Sequence, residues 1–160
     1  MQEKPHIEAL AASQVDQALP LLQTRYPNLN LAQWRCFARS LMASPRGAKL
    51  QLVPSSGIIT ARNGHGYLTG LFSYRVAVDL SHERVLEVAT FIAAGLFDPL
   101  HTIDAMVHET ERLARALNCT AVRIERPQSA GLADLLLKRL YGDCQVVESV
   151  SLCKEIRSAA

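Results

Sequence analysis

No hydrophobic run in this chain is long enough to cross a bilayer. The longest, Val85 to Leu96, is interrupted by Glu87 and falls well short of the roughly twenty apolar residues a spanning helix needs. A cysteine framework is missing as well. Cys36, Cys119, Cys144 and Cys153 form no C-x-x-C pair and no zinc-ligand spacing. The opening Met1-Gln-Glu-Lys-Pro-His6 has no signal-peptide pattern, so a reducing, cytoplasmic setting without disulfides is the expectation. There is no excess of one charge: the formal net charge of +2 leaves no electrostatic footprint for nucleic acid. Arg35, Arg39, Arg46 and Lys49 read as a solvated helix face rather than a phosphate-binding patch. No order of Ser, His, Asp or Cys suggests a nucleophilic triad. Neither a repeat, a low-complexity tract nor a linker divides the chain. The expectation is one domain over 1–160, which at 160 residues buries about two-thirds of its unfolded surface. Neither nucleic acid nor membrane is expected as a partner.

What is present is a clear alternation of elements. Ile7 to Leu10 reads as a short strand. Ser13 can cap a helix starting near Gln14, in which Val15, Leu19, Leu22 and Tyr26 share a face and Pro20 predicts a kink or a break. Pro27-Asn-Leu-Asn30 separates it from a second helix with Leu31, Trp34, Ala38, Leu41 and Met42 on its core side, ended by Ser44-Pro-Arg-Gly47. Gly57 to Arg62 and Tyr67 to Val78 form a hairpin around Asn63-Gly-His-Gly66, where Asn-Gly predicts two turn positions of positive φ. Asp79-Leu-Ser-His-Glu83 leads antiparallel into Arg84 to Leu96, nearly all apolar, as a strand covered on both faces requires. Phe97-Asp-Pro-Leu-His-Thr102 turns into a helix lasting to about Asn118, and Ala121-Val-Arg-Ile-Glu125 returns as a strand. This unit predicts a right-handed parallel crossover with a helix N-terminus at the carboxyl end of a buried strand, a natural place for a phosphate. Along that helix Ile103, Met106, Val107, Thr110, Leu113, Ala114 and Leu117 define the core stripe. His101, Asp104, His108 and Glu111 form the opposite stripe, which reads as a solvated face in preference to a metal site. Pro127 to Gly131 is a loop, Leu132 to Leu140 a helix, and Gln145 to Ile156 a final alternating strand.

The order β-α-α-β-β-β-α-β-α-β, with Leu96-Phe-Asp-Pro99, a helix ending Leu113-Ala-Arg-Ala-Leu-Asn-Cys119 and then Ala121-Val-Arg-Ile124, resembles the Gcn5-related N-acetyltransferase (GNAT) superfamily. These segments are similar to its fourth strand, acyl-CoA loop, third helix and fifth strand. Lys138-Arg-Leu-Tyr-Gly142 followed by Val147 to Ile156 resembles its closing helix, turn and last strand. The resemblance implies an α+β fold of three layers, with a mixed, mostly antiparallel central sheet and helices on both faces. It also implies a metal-independent N-acyltransferase that uses acetyl-CoA or another acyl-CoA on a small-molecule or peptide amine. A homodimer is compatible with this reading. The cofactor would lie along Leu96, Phe97, Leu100, His101, Thr102, Ile103 and Asp104. A backbone N–H of the fourth strand would serve the oxyanion, Tyr141 would be the acid, and Glu87 is a candidate base. Tyr141 read structurally is a half-buried tyrosine capping the core, and Glu87 a charged residue at a strand end. Gly95 marks either the bulge that admits the pantetheine arm or a relief for helix packing.

The chain departs from the family at its pyrophosphate loop. Where the family has Arg/Gln-x-x-Gly-x-Gly/Ala, this sequence has Asp98-Pro-Leu-His-Thr-Ile-Asp-Ala105, without the arginine or either glycine. Asp98 can cap a helix starting at Pro99, or Thr102 can be the cap and leave a nest for phosphate. Asp104 suits the helix dipole but repels a phosphate. The alternative reading is therefore a GNAT-like binding or regulatory module that has lost acyl-CoA.

Overall fold

A computed structural model describes residues 4–43, 53–94, 99–125 and 130–140. Strands β1 (His6–Ala9), β2 (Ser56–Arg62), β3 (Leu68–Asp79), β4 (Glu83–Ala93) and β5 (Ala121–Ile124) form one sheet in sequential order. The first three pairings are antiparallel and β4–β5 is parallel; the hairpin, the antiparallel β3–β4 pair and the parallel β4–β5 pair are those the sequence predicts. The helices are α1 (Leu19–Gln23), α2 (Leu31–Met42), α3 (Pro99–Ala116) and α4 (Ala130–Leu140), with a 3-10 helix over Ala12–Ala18. The expected last strand, Gln145 to Ile156, lies outside the described residues. Among those described, no helix is long and apolar enough to cross a membrane.

Alternation divides the apolar side chains between two cores. Ile58, Leu71 and Ile92 join Leu10, Ala18, Leu21, Leu22, Trp34 and Ala38 on one side of the sheet. Ile59, Phe72, Tyr74, Leu86, Val88 and Phe91 meet Ile103, Met106, Leu113 and Leu136 on the other. The sheet is thus the middle of three layers, with α1 and α2 on one face and α3 and α4 on the opposite one. The stripe Ile103 to Leu117 of α3 is buried, as its spacing requires.

Several local devices differ from their expected form. Pro20 does break the first helix: it stands at the start of α1, where its missing N–H leaves no bond unmade. The 3-10 segment begins at Ala12, so Ser13 lies inside it and is not the cap. Asn30 caps α2, its Oδ1 accepting the Gln33 N–H at 2.8 Å while Gln33 Oε1 accepts the Asn30 N–H at 3.1 Å. Trp34, fully buried, donates its Nε1–H to Val15 O at 2.6 Å and fixes α2 against the 3-10 helix. In the β2–β3 loop only Gly66 has positive φ (82°), so Asn63-Gly64 is not the two-residue turn the dipeptide predicts. Asn63 works through its side chain instead, Oδ1 accepting the N–H groups of His65 and Tyr67 at 3.1 and 2.9 Å.

Gly70 sets how close α3 can come to the sheet. A Cβ there would lie 2.4 Å from Met106 Sδ, 2.9 Å from Thr102 Cγ2 and 3.3 Å from Ile92 O. Only glycine allows this approach. At the other end of the sheet, charges tie the strands together. Glu87 accepts from Arg75 Nε at 2.7 Å and from Arg123 Nη1 at 3.2 Å, and Arg123 also pairs with Asp79. Arg75, Glu87 and Arg123 stand opposite one another on β3, β4 and β5, so this row fastens the short β5 to its neighbours.

Two predictions follow from these contacts. Gly70→Ala should lower stability by about 1–3 kcal/mol, because the added methyl overpacks a filled helix–sheet contact. Urea unfolding measures it, and an unchanged midpoint would mean that α3 yields freely. The Arg123 hydrogen bond, helped by the Ser81 and His82 N–H groups, holds the Asp79 carboxyl below its usual range. A depressed folded-state pKa gives stability that is fully present above the unfolded value of about 3.9 and is lost as pH falls through the folded one. Asp79→Asn should therefore be less stable than wild type above about pH 4, and the difference should close at lower pH. Parallel unfolding midpoints for the two proteins from pH 2 to 7 would show that the carboxylate contributes nothing.

Candidate functional site

The site is built on the strand end that β5 leaves uncovered. Parallel pairing stops at Val88↔Ile124, and the last ladder bond is Glu125 N–H to Val88 O at 2.9 Å. β4 runs on to Ala93, so among the described residues Ala89–Ala93 has no β5 partner on that edge. Within this stretch β4 carries an extra residue. Leu71 pairs with Ile92 but Ser73 pairs with Ala89, and Thr90 between them has φ of 51°. A β-branched residue in the left-handed region is strained, and such strain persists only where the surroundings hold it.

Here the surroundings do so from both sides. The added residue reverses the phase of β4: Leu86 and Val88 face α3 before it, Phe91 faces α3 after it, and Ile92 enters the opposite core. Phe91 stacks on Phe72 with centroids 6.0 Å apart and planes 12° from parallel. The Ser73 hydroxyl donates to Ala89 O at 3.1 Å. The result is a bulged notch on the β4 edge, held by packing on both faces of the sheet. A bulge lies at Thr90, while Gly95, expected to mark a bulge or to relieve helix packing, is outside the described residues. Nothing in the local sequence marks a threonine for positive φ.

The N-terminal turns of α3 stand beside this notch. The point a Gly70 Cβ would occupy is within 3.3 Å of both Thr102 Cγ2 and Ile92 O, which brings the start of α3 over the end of β4. The helix begins at Pro99, so Thr102 is inside it, and the cap-at-Thr102 alternative is excluded. The side chains of Thr102 and Ile103 are buried against the sheet. Leu100 and His101 are exposed and Asp104 is half-buried, so these three face outward. Asp104 Oδ1 contacts Arg139 Nε of α4 at 2.8 Å, so the carboxylate expected to repel phosphate carries its own counter-charge. Leu96 and Phe97, the other two residues expected along the cofactor, lie outside the described residues.

Of the two expected catalytic residues, Glu87 is the cross-strand tie described above. Guanidinium donors engage both its oxygens, one bond to each. Tyr141 follows directly on the end of α4 at Leu140 and lies outside the described residues. Among the described residues no cluster of three or more His, Cys, Asp or Glu can hold a metal ion. The polar stripe of α3 is instead spread over the surface: Asp104 pairs with Arg139, Glu111 with Arg115 at 3.5 Å, and His108 is exposed. The α1–α2 connection carries an open depression lined by Arg25, Tyr26, Pro27, Asn28, Leu29 and Gln33, with the Arg25 guanidinium 5.4 Å from the Tyr26 ring centre.

No protein-family profile and no curated protein matches the sequence. Solved structures do match the fold, nearly end to end. An aminoglycoside N-acetyltransferase in complex with the bisubstrate analogue CoA-S-monomethyl-acetylneamine superposes with a TM-score of 0.75 at 9% identity, over 96% of this chain and 100% of that one. The aminoglycoside 6'-N-acetyltransferase of Acinetobacter baumannii gives 0.72 at 13% identity, over 96% and 99%. A GNAT family acetyltransferase of Staphylococcus aureus gives 0.64 at 11% identity, over 96% and 100%. Antiparallel order, parallel β4–β5 pair and flanking helices together agree with these structures: the chain has the fold of the Gcn5-related N-acetyltransferase superfamily.

Proposed function

We propose that this protein is an N-acyltransferase that takes acetyl-CoA or another acyl-CoA and passes the acyl group to the amine of a small molecule or peptide. The observation that carries the reading is the strained bulge at Thr90, on a strand edge released from β5 and overhung by the first turns of α3. An extended arm with amide groups can bond to that edge as a strand would, and a phosphate can sit at the α3 terminus, where backbone dipoles converge. That a protein of this fold holds a CoA bisubstrate analogue supports the same reading.

In this mechanism the free amine attacks the thioester carbonyl, a C–N bond forms and the C–S bond breaks. A β4 main-chain N–H near the bulge stabilises the oxyanion, which a rigid, preorganised donor does best. Tyr141 donates its phenolic proton to the departing thiolate, and the proton lost by the amine leaves through solvent. Glu87 ties β4 to its neighbours through Arg75 and Arg123. Acceptor choice falls to the surface around the α1–α2 connection. A second reading, a binding module without acyl-CoA, rests on the loop Asp98–Ala105 and its missing glycines.

The two readings separate on one measurement. Acetyl-CoA at about a hundred times its dissociation constant should add about 2.7 kcal/mol and raise the melting temperature by roughly 5–10 °C. No shift at millimolar ligand would leave the binding-module reading standing. Tyr141→Phe removes only the hydroxyl, so acetyl-CoA affinity should hold while kcat falls by on the order of a hundredfold. Unchanged turnover would remove Tyr141 from the chemistry.

A further inference from the structure

Ser73 is a buried hydroxyl at the place where β4 leaves regular pairing. It is 3% exposed, and its Oγ–H donates to Ala89 O at 3.1 Å, across the pair where the β3–β4 register shifts. The direction of that carbonyl decides where the next amide points. Val88 O accepts Glu125 N–H on the β5 side. Successive carbonyls of an extended strand point to opposite edges, so Ala89 O points toward β3, where Ser73 meets it. The peptide bonds are trans, with C=O and N–H on opposite sides, so Thr90 N–H points to the β5 side. A continued parallel ladder would give this N–H to Glu125 O. Among the described residues that bond is absent, although the preceding one, Glu125 N–H to Val88 O, is made. Thr90 N–H is therefore the donor released where β4 and β5 part.

We propose that Ser73 is a positioning residue of the acyl-transfer centre: by holding Ala89 O, it aims Thr90 N–H out of the free β4 edge at the thioester carbonyl. This rests on the acyl-CoA reading above. In a regular strand, ladder bonds on both edges fix each peptide plane. Here the β3 register is interrupted between Ser73↔Ala89 and Leu71↔Ile92, and the β5 bond is missing, so the 89–90 peptide has fewer restraints. The Ser73 hydroxyl supplies one from a side chain that is itself fixed by burial. A donor held in one direction needs no reorganisation when charge develops on the carbonyl oxygen. Ser73 keeps its proton throughout and touches no reacting atom.

Calorimetric titration of the full chain with two ligands tests this without knowledge of the acceptor. Acetyl-CoA carries the carbonyl, and S-ethyl-CoA, a thioether, has a methylene in its place. Wild type should bind acetyl-CoA roughly two- to tenfold more tightly, the range one hydrogen bond supplies. Ser73→Ala should lose most of that preference while its affinity for S-ethyl-CoA stays at the wild-type value. The Thr90 amide proton resonance of wild type should also move further downfield with acetyl-CoA than with S-ethyl-CoA. Equal affinity of wild type for the two ligands, or equal Thr90 shifts, overturns the proposal and leaves acyl-CoA binding intact. An unchanged preference in Ser73→Ala also overturns it. So does an equal loss of both ligands, which marks Ser73 as a structural residue of the sheet. Absence of binding of either ligand by wild type removes the acyl-CoA reading and this proposal together. Should Ser73→Ala fail to fold, Ser73→Cys, of similar shape but with a weak donor, takes its place under the same outcomes.

Discussion

One extra residue in β4 governs how the rest of the molecule is arranged. Without it the strand would keep a single phase, and Phe91 would turn into the α1–α2 core while Ile92 turned toward α3. With Thr90 in the left-handed region, Phe91 stacks on Phe72 beneath α3 and Ile92 joins Leu71 and Trp34 on the other face. Each core therefore holds one side of the distortion. The cost of a β-branched residue at positive φ is of order 1–3 kcal/mol, comparable to the roughly 1.5–3 kcal/mol that burying one neighbouring side chain contributes. The strain is sustained by packing on both layers, which is why the notch can be rigid although it lies at a strand edge.

Two sets of charges bracket that notch, and they have different consequences. On the hairpin side, Arg75, Glu87, Arg123 and Asp79 link three strands in register, holding β5 where it pairs. Cross-strand pairs of this kind contribute little singly, but a row of them in register also opposes slippage of a four-residue strand. On the α3 side, Asp104 and Arg139 join α3 to α4. The first set is bound into the sheet. The second lies between two helices.

The division of the chain into elements is legible because periodicity reports burial directly. The near-continuous apolar run of β4 announces a strand covered on both faces, and the stripe of α3 announces which side of the helix is covered. From those two facts the parallel β4–β5 pair follows by the handedness of crossovers. The same run conceals the bulge, since apolar residues at every position carry no phase to read. Thr90 is hidden twice over, because β-branching argues for extended φ and only tertiary packing reverses it. Asn63 illustrates a smaller concealment: the dipeptide predicts backbone geometry, but the asparagine acts through its Oδ1 and passes the positive φ to Gly66. Asp104 reads as a lone carboxylate hostile to phosphate, because its partner comes from a separate helix and no local pattern connects the two.

Placing the site on a strand rather than a loop has a consequence for what the missing glycines mean. A glycine-rich loop lets backbone donors approach a phosphate closely, and its loss weakens that approach. It does not alter the β4 edge, whose geometry is set by Thr90, Phe91 and Ile92 and by the sheet beneath them. The approach of α3 to that edge is likewise set elsewhere, by the empty space above Gly70 that Met106 and Thr102 fill. The two parts of the site therefore depend on different residues.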